Sequence, residues 1–376
     1  MNVFRLYFLI LLIFFLGCTD NDYIHFMNKP YLKKVWQINI GKYNNEYYNY
    51  SFSFNKDIIF IYNYSGIIKA ISLKDGKQKW FVNLSCKYKK FRNDGIFLLG
   101  NICVDIKNIY FGTENAKLYS INFSNGVIDW CVDAAGEILS KPFLFNDLVL
   151  VHTVNGVLQA FNKNNGEIKW SIFLGYSNFG VRGESEPVMF NNLIIIGSDN
   201  GFINVISPYD GKLIWKKFIS YPYKDNFNNM IDVDYTPIIY HGVIYSLSSN
   251  GCFLAIDFIS GDILYKYDNK FIKNIFIYNN CIYLLDNMNY LISLNIDNYY
   301  IKSQRMLPFK YDSISSILYK NYIIIGDNLG YLYLIDINNF SVFFRSKISN
   351  FGLNIIFYKN NKLFILDNNG CLFFYN

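Results

Sequence analysis

The chain has 376 residues and a formal net charge of +6, and 19% of it is aromatic, with 33 Tyr and 35 Phe. That length is ample for a large core. The positive charge forms no concentrated block. The densest cluster, Lys87-Tyr88-Lys89-Lys90-Phe91-Arg92, has no RNA-binding signature and no basic stripe beside it, so it reads as a solvated loop and nucleic-acid binding is excluded. Asn, Ile, Lys, Tyr and Phe recur throughout, the pattern an AT-rich genome imposes, so no single Tyr or Lys carries an argument.

The first element is a targeting segment. Arg5 precedes an apolar run from Leu6 to Leu16, which ends in Gly17-Cys18. The run is shorter than the ~20 residues of a permanent membrane span, and it suits a signal peptide. Phe15-Leu16-Gly17-Cys18 resembles a bacterial lipoprotein box, which implies that Cys18 becomes the acylated first residue. Phe15 stands where an aliphatic residue is usual, and only one basic residue precedes the run. An ordinary cleaved signal with an incidental Cys remains the alternative. Thr19, rather than Asp, follows the Cys, and the resemblance then implies sorting to the outer membrane. The expected organisation is a signal peptide over 1–17, a lipid-anchored polar tether over 18–34, and one repeat domain over 35–376.

The rest of the chain repeats. Each copy is an apolar strand, a turn ending in Gly, a second strand, another Gly turn and an aromatic. Gly66, Gly76 and Trp80 make one copy, and Gly156, Gly166 and Trp170 another. Ala116, Gly126 and Trp130 follow the same offsets, as do Gly201, Gly211 and Trp215, and Gly251, Gly261 and Tyr265. Asn289 and Gly330 open weaker copies, and Gly370 opens an incomplete last one. A period near 40 with alternating strands predicts an all-β, eight-bladed β-propeller of four-stranded antiparallel blades. Asn155-Gly156, Asn200-Gly201, Asn250-Gly251 and Asn369-Gly370 suit two-residue hairpins, in which both residues take positive φ. The aromatic is expected to pack between neighbouring blades, with a Trp N–H that needs a partner. Leu193-Ile194-Ile195-Ile196 is apolar on both faces, as blades stacked on blades require.

The chain ends at Asn376, before the aromatic due after Gly370. Val35-Trp36-Gln37-Ile38-Asn39 matches Lys79-Trp80-Phe81-Val82-Asn83 and supplies it. The N-terminal strand therefore completes the last blade and closes the ring.

Catalytic chemistry is absent from the motifs. His25, His152 and His241 lie in unrelated repeat contexts. Asp232-Val233-Asp234 has no neighbours that complete a calcium loop. Gly183-Glu184-Ser185 lacks the second Gly of a nucleophile elbow. Cys86, Cys103, Cys131, Cys252, Cys281 and Cys371 show no regular pairing and read as buried thiols rather than a disulfide framework. The repeat resembles the propeller of quinoprotein dehydrogenases. The adjacent-cysteine disulfide and calcium site of those enzymes have no counterpart here, so neither activity nor cofactor carries across.

Two segments depart from the repeat. Phe179-Gly180-Val181-Arg182-Gly183-Glu184-Ser185-Glu186-Pro187 and Asn226 to Pro237 occupy the same connection in consecutive blades, so they should emerge side by side on one face. One carries a cation beside apolar residues, and the other carries Asp232 and Asp234. Such a pair suits a protein-binding hot spot. Equally, Arg182 can pair with either Asp and pin the two loops together.

The lipoprotein box, the eight repeats, the Arg-Gly-Glu-Ser-x-Pro loop and the Asp-Val-Asp-x-Thr-Pro loop together resemble the BamB family, lipoprotein subunits of the outer-membrane β-barrel assembly machinery. The resemblance implies a non-catalytic scaffold at the periplasmic face of the outer membrane. Its implied partners are the periplasmic domains of BamA, the other subunits and nascent outer-membrane proteins. It also implies that Phe179, Val181 and Arg182, with Asp232 and Asp234, contact BamA. Phe179 and Val181 replace what are usually leucines, which keeps apolar character and changes shape. No cofactor is implied. A quinoprotein-type or ligand-binding periplasmic propeller is the alternative reading.

Overall fold

The computed structural model describes residues 32–40, 51–55, 57–62, 66–84, 101–176, 185–220, 232–233, 235–248, 251–268, 272–307, 313–359 and 362–375. These residues form eight four-stranded antiparallel sheets. In seven of them the four strands follow in chain order: blade 1 spans 51–83, blade 2 103–133, blade 3 143–173, blade 4 188–218, blade 5 238–267, blade 6 272–306 and blade 7 313–347. The eighth takes three strands from 353–375 and its outer strand, Lys34–Asn39, from the other end of the chain. Trp36 lies opposite Phe374, and Ile38 opposite Leu372. The expected propeller, closed by its N-terminal strand, is what forms. First strands of successive blades touch, as in blades 7 and 8, so they line the axis.

The aromatic of each copy joins one blade to the next. The indole N–H groups of Trp36, Trp80, Trp130, Trp170 and Trp215 donate to the carbonyls of Leu73, Phe123, Lys163, Pro208 and Phe258 at 2.9–3.2 Å. Each acceptor lies in the following blade, in the turn before its outer strand. That turn's Gly lies beneath the ring: a Cβ on Gly211, whose φ is +73°, would sit 2.5 Å from Trp170. Gly therefore serves there twice, by reaching the left-handed region and by admitting an indole. Gly211→Ala is expected to cost about 2–4 kcal/mol, combining left-handed strain with overpacking. A denaturant titration checks this, and an unchanged midpoint contradicts it.

A bulge recurs in all eight outer strands, one residue before the aromatic position. Ala160 pairs with Trp170 while Phe161 pairs with Ile168, and the closing blade skips Val35 in the same way. Bulges increase local twist and re-aim a side chain. This one accompanies the turn of the aromatic toward the next blade.

The two weak copies show how the joint tolerates change. Tyr265 replaces Trp in blade 5, and Tyr299, at φ 58°, replaces the Gly that would face it. Their rings stack at 4.5 Å and 8°. Blade 6 has Ser303 at the aromatic position, and blade 7 has buried Phe340, at φ 57°, where Gly is usual. In that joint the aromatic has moved from the outer strand to the turn.

The Asn-Gly hairpins differ from expectation. Thr153 pairs with Val157 across a three-residue loop, and the Gly156 amide donates to the Thr153 carbonyl at 2.8 Å. Gly156 has φ 69°, while Asn155 stays at negative φ. The loop is thus a tight turn plus one left-handed residue rather than a two-residue hairpin. Asn155 instead donates from Nδ2 to the Ala135 carbonyl at 2.9 Å, and Asn200 to the Leu174 carbonyl at 2.9 Å. Those acceptors end the preceding blade, so the Asn is kept for a blade-to-blade bond.

The core is the stack of blade faces. Ile194, Ile195 and Ile196 are all fully buried, two facing one neighbour and one the other. Cys103, Cys131, Cys252, Cys281 and Cys371 remain thiols. Burial pushes Cys103 up to about 11, and burial aided by the Asp268 carboxylate pushes Cys252 up to about 12. Thiols so protonated pack as small apolar groups.

Candidate partner-binding face

Antiparallel order puts each blade-to-blade crossover at the same end as the hairpin between second and third strands. The crossovers into blades 3, 4 and 5 each meet their first strand at a proline: Pro142, Pro187 and Pro237. A first strand has an open edge toward the axis, where a missing N–H is tolerated. Aligned on that proline, Ser140, Ser185 and Tyr235 correspond, as do Ile138, Gly183 and Val233. Arg182 and Asp232 fall at one shared position of consecutive crossovers.

Phe179, Val181, Arg182 and Asp234 lie outside the described residues, as does Cys18. Asp232 is described, and it is fully buried. The Val233 amide donates to the Ser198 carbonyl of blade 4 at 3.3 Å, and its side chain joins the core between blades 4 and 5. Gly197 makes room: a Cβ there would sit 2.2 Å from the Val233 carbonyl oxygen. Gly112 does the same for Ile138. Blade 3 has His152 where Gly112 and Gly197 stand.

The two loops are tied where they are described. The Glu186 amide donates to Thr236 Oγ1 at 3.1 Å. Ser185 Oγ accepts the Gly197 N–H at 3.1 Å and donates to the Tyr235 carbonyl at 3.5 Å. Ser185 is almost wholly buried, so its hydroxyl serves as a brace. The chain of bonds continues on both sides. Asn101 Nδ2 donates to Glu186 Oε1 at 3.1 Å, and the Tyr235 hydroxyl accepts the Ile275 N–H at 3.1 Å. Asn274 then bonds Ser316 Oγ at 2.5 Å, and the Ile356 amide donates to Ser315 Oγ at 3.0 Å. Burial pushes the Tyr235 phenol up to about 12, so it stays protonated. These bonds tie the crossovers into blades 4 and 5 to each other and lead on through the first strands of blades 6, 7 and 8, while Glu186 reaches past blade 3 to Asn101. Sequence reasoning dismissed Ser185 as a nucleophile and used Ser185 and Thr236 only as members of the two loop motifs, without a bracing role; their position beside the crossover prolines was the available signal.

The described residues of the two crossovers are thus hydrogen-bonded to each other, and among the described residues no cluster of His, Cys, Asp and Glu could hold a metal ion. Residues 64–298, well over half the chain, match a family profile described as outer membrane protein assembly factor BamB. The chain belongs to the BamB family. The BamB of Yersinia pestis is 30% identical over 267 residues, covering 70% of this chain and 68% of that one. The BamB of Escherichia coli strain K12 is 31% identical over 265 residues, with coverage of 70% and 68%. The crystal structure of BamB from Moraxella catarrhalis superposes with a TM-score of 0.77 at 18% identity, over 92% of this chain and 99% of that one. At that identity the likeness speaks for the fold, and it spans the whole BamB ring. BamB proteins are assembly factors rather than enzymes.

Proposed function

We propose that this chain is a lipid-anchored scaffold that binds the periplasmic domains of BamA within the outer-membrane protein assembly machinery. Family membership supports the assembly role. The observation that carries the BamA contact is the hydrogen-bonded pairing of the two crossovers through Ser185, Glu186, Tyr235 and Thr236. It holds the roots of Phe179-Gly180-Val181-Arg182 beside those of Asp232-Val233-Asp234. In this reading Phe179, Val181 and Arg182 meet the partner, and Asp234 belongs to the same face. Asp232, being buried, braces the face from within. The propeller mechanism is positioning: a rigid ring presents two loops, and no bond is made or broken. Residues 1–17 are read as the signal, Cys18 as the acylated anchor and 18–34 as the tether, which places the ring at the periplasmic side of the outer membrane. The other assembly subunits and nascent outer-membrane proteins complete its surroundings.

One fractionation tests the reading. The tagged chain, purified from outer membranes after labelling with a palmitate analogue, is expected to carry label and to bring BamA with it. Cys18→Ala should carry no label and should leave the outer-membrane fraction. Label on both variants, or a labelled chain that brings other envelope proteins without BamA, contradicts it.

A further inference from the structure

The two crossovers that depart from the repeat both start from a phenylalanine. In every blade the last residue of the outer strand pairs with the first residue of the third strand, at the crossover end. In blades 1, 2, 7 and 8 that last residue is Asn83, Asp133, Lys347 and Asn39. In blades 3 and 4 it is Phe173 and Phe218, from which the chain leaves for Phe179-Gly180-Val181-Arg182 and for Asp232-Val233-Asp234. Blade 5 has Tyr267 there and blade 6 has Met306.

Phe173 is 62% exposed and Tyr176 is 55% exposed, and their rings meet edge to face at 6.1 Å. The backbone between them is tied on both sides. The Leu174 amide donates to the Gly156 carbonyl at 2.7 Å, and the Leu174 carbonyl accepts the Asn200 side chain at 2.9 Å. The Asn200 hairpin runs into Phe202, whose ring meets that of Phe218 edge to face at 5.2 Å. Lys216 Nζ lies 5.0 Å over the Phe202 ring, which puts a cation on the same rim. A single exposed Phe is ordinary. Here two exposed rings hold each other, on backbone bonded to the hairpins of two blades, with a second aromatic pair beside them. Rings mounted in this way offer large apolar area to a partner at little ordering cost.

We propose that Phe173 and Tyr176, with Phe202, Phe218 and Lys216 beside them, form a second docking surface for the partner held by the two loops. This surface receives an apolar patch edged by a carboxylate: the rings anchor the patch, and Lys216 meets the charge. The inference rests on the proposed BamA contact. The aromatics stand at the roots of both loops, so a folded domain seated on the loops covers them too.

The test uses the chain from Thr19 onward, which keeps every described residue. Purified BamA periplasmic domains are titrated against the parent, Arg182→Glu, Phe173→Ser with Tyr176→Ser, and a control. The control is Phe81→Ser with Met306→Ser, 59% and 56% exposed on blades 1 and 6. The Phe173 and Tyr176 variant is expected to bind about tenfold more weakly than the parent, and the control within about twofold. Lys216→Glu should bind more weakly at low salt and approach the parent at high salt. All variants should melt with the parent. Photoreactive benzoylphenylalanine in place of Phe173 or Tyr176 should crosslink to the BamA domains, and in place of Phe81 it should not. Parent-like binding by the Phe173 and Tyr176 variant, beside weak binding by Arg182→Glu, overturns this surface and leaves the loop contact standing. Failure of the parent to bind overturns both. Crosslinks from position 173 that join two copies of the chain and none that reach BamA also overturn it, and assign the rim to a dimer.

Discussion

Deleting the chain through Ile38 is expected to lower the unfolding midpoint of the whole ring by about 10 °C or more, and deleting it through Asn28 to leave the midpoint unchanged. The first deletion removes Trp36, whose ring lies 5.1 Å from Phe374 and over Gly76, and whose N–H bonds the Leu73 carbonyl. Losing a packed Trp costs about 3–5 kcal/mol, and its indole bond about 1 more. The deletion also bares Cys371–Tyr375 as an edge and breaks the covalent circuit that joins blade 8 to blade 1. Against a domain stability of roughly 5–15 kcal/mol, that loss is decisive. The shorter deletion spares Lys34–Asn39 entirely. Coincident melts of the two truncations would show that this strand contributes nothing to closure.

The two charges of the crossover face are expected to fail differently. Asp232→Lys should lose stability, by about 3–5 kcal/mol, because the position is fully buried and would have to hold a longer, charged ammonium out of water. Val233 next to it is anchored to Ser198 and packed over Gly197, so the loop cannot swing the new charge into water without giving up that contact. Arg182→Glu should leave the melt unchanged and weaken BamA binding about thirtyfold, the effect of losing an interface Arg worth about 2 kcal/mol. If Arg182 instead pins the two loops, its reversal lowers the midpoint and a compensating Asp→Lys at 232 or 234 restores it.

The ring was legible because its joints are built from residues with few substitutes. A left-handed turn beneath an indole admits little but Gly, so Gly211 and Trp170 recur at fixed offsets in other blades. Where other residues solve the same problem, the signal fades. Tyr265 with Tyr299, and Phe340 opposite Ser303, keep an aromatic in the joint and lose the Gly-Trp spacing. The hairpin type was misread because Asn-Gly serves both two- and three-residue loops, and the Asn was kept for a bond to Ala135 or Leu174, partners distant in sequence. The adjacency of the two loops followed from counting crossovers. The burial of Asp232 did not, because it depends on how closely Val233 can approach Gly197 in another strand. The bulge before each aromatic leaves no residue signature, since any side chain can occupy it.

The central claim is that the crossover face binds BamA, and a titration of purified BamA periplasmic domains against the wild-type chain and Arg182→Glu, with melts of both, tests it most directly. Saturable binding by the wild type, weakened about thirtyfold in Arg182→Glu at an unchanged melting temperature, is the predicted result. Equal binding by the two proteins, or a lowered melting temperature with binding intact, would contradict it.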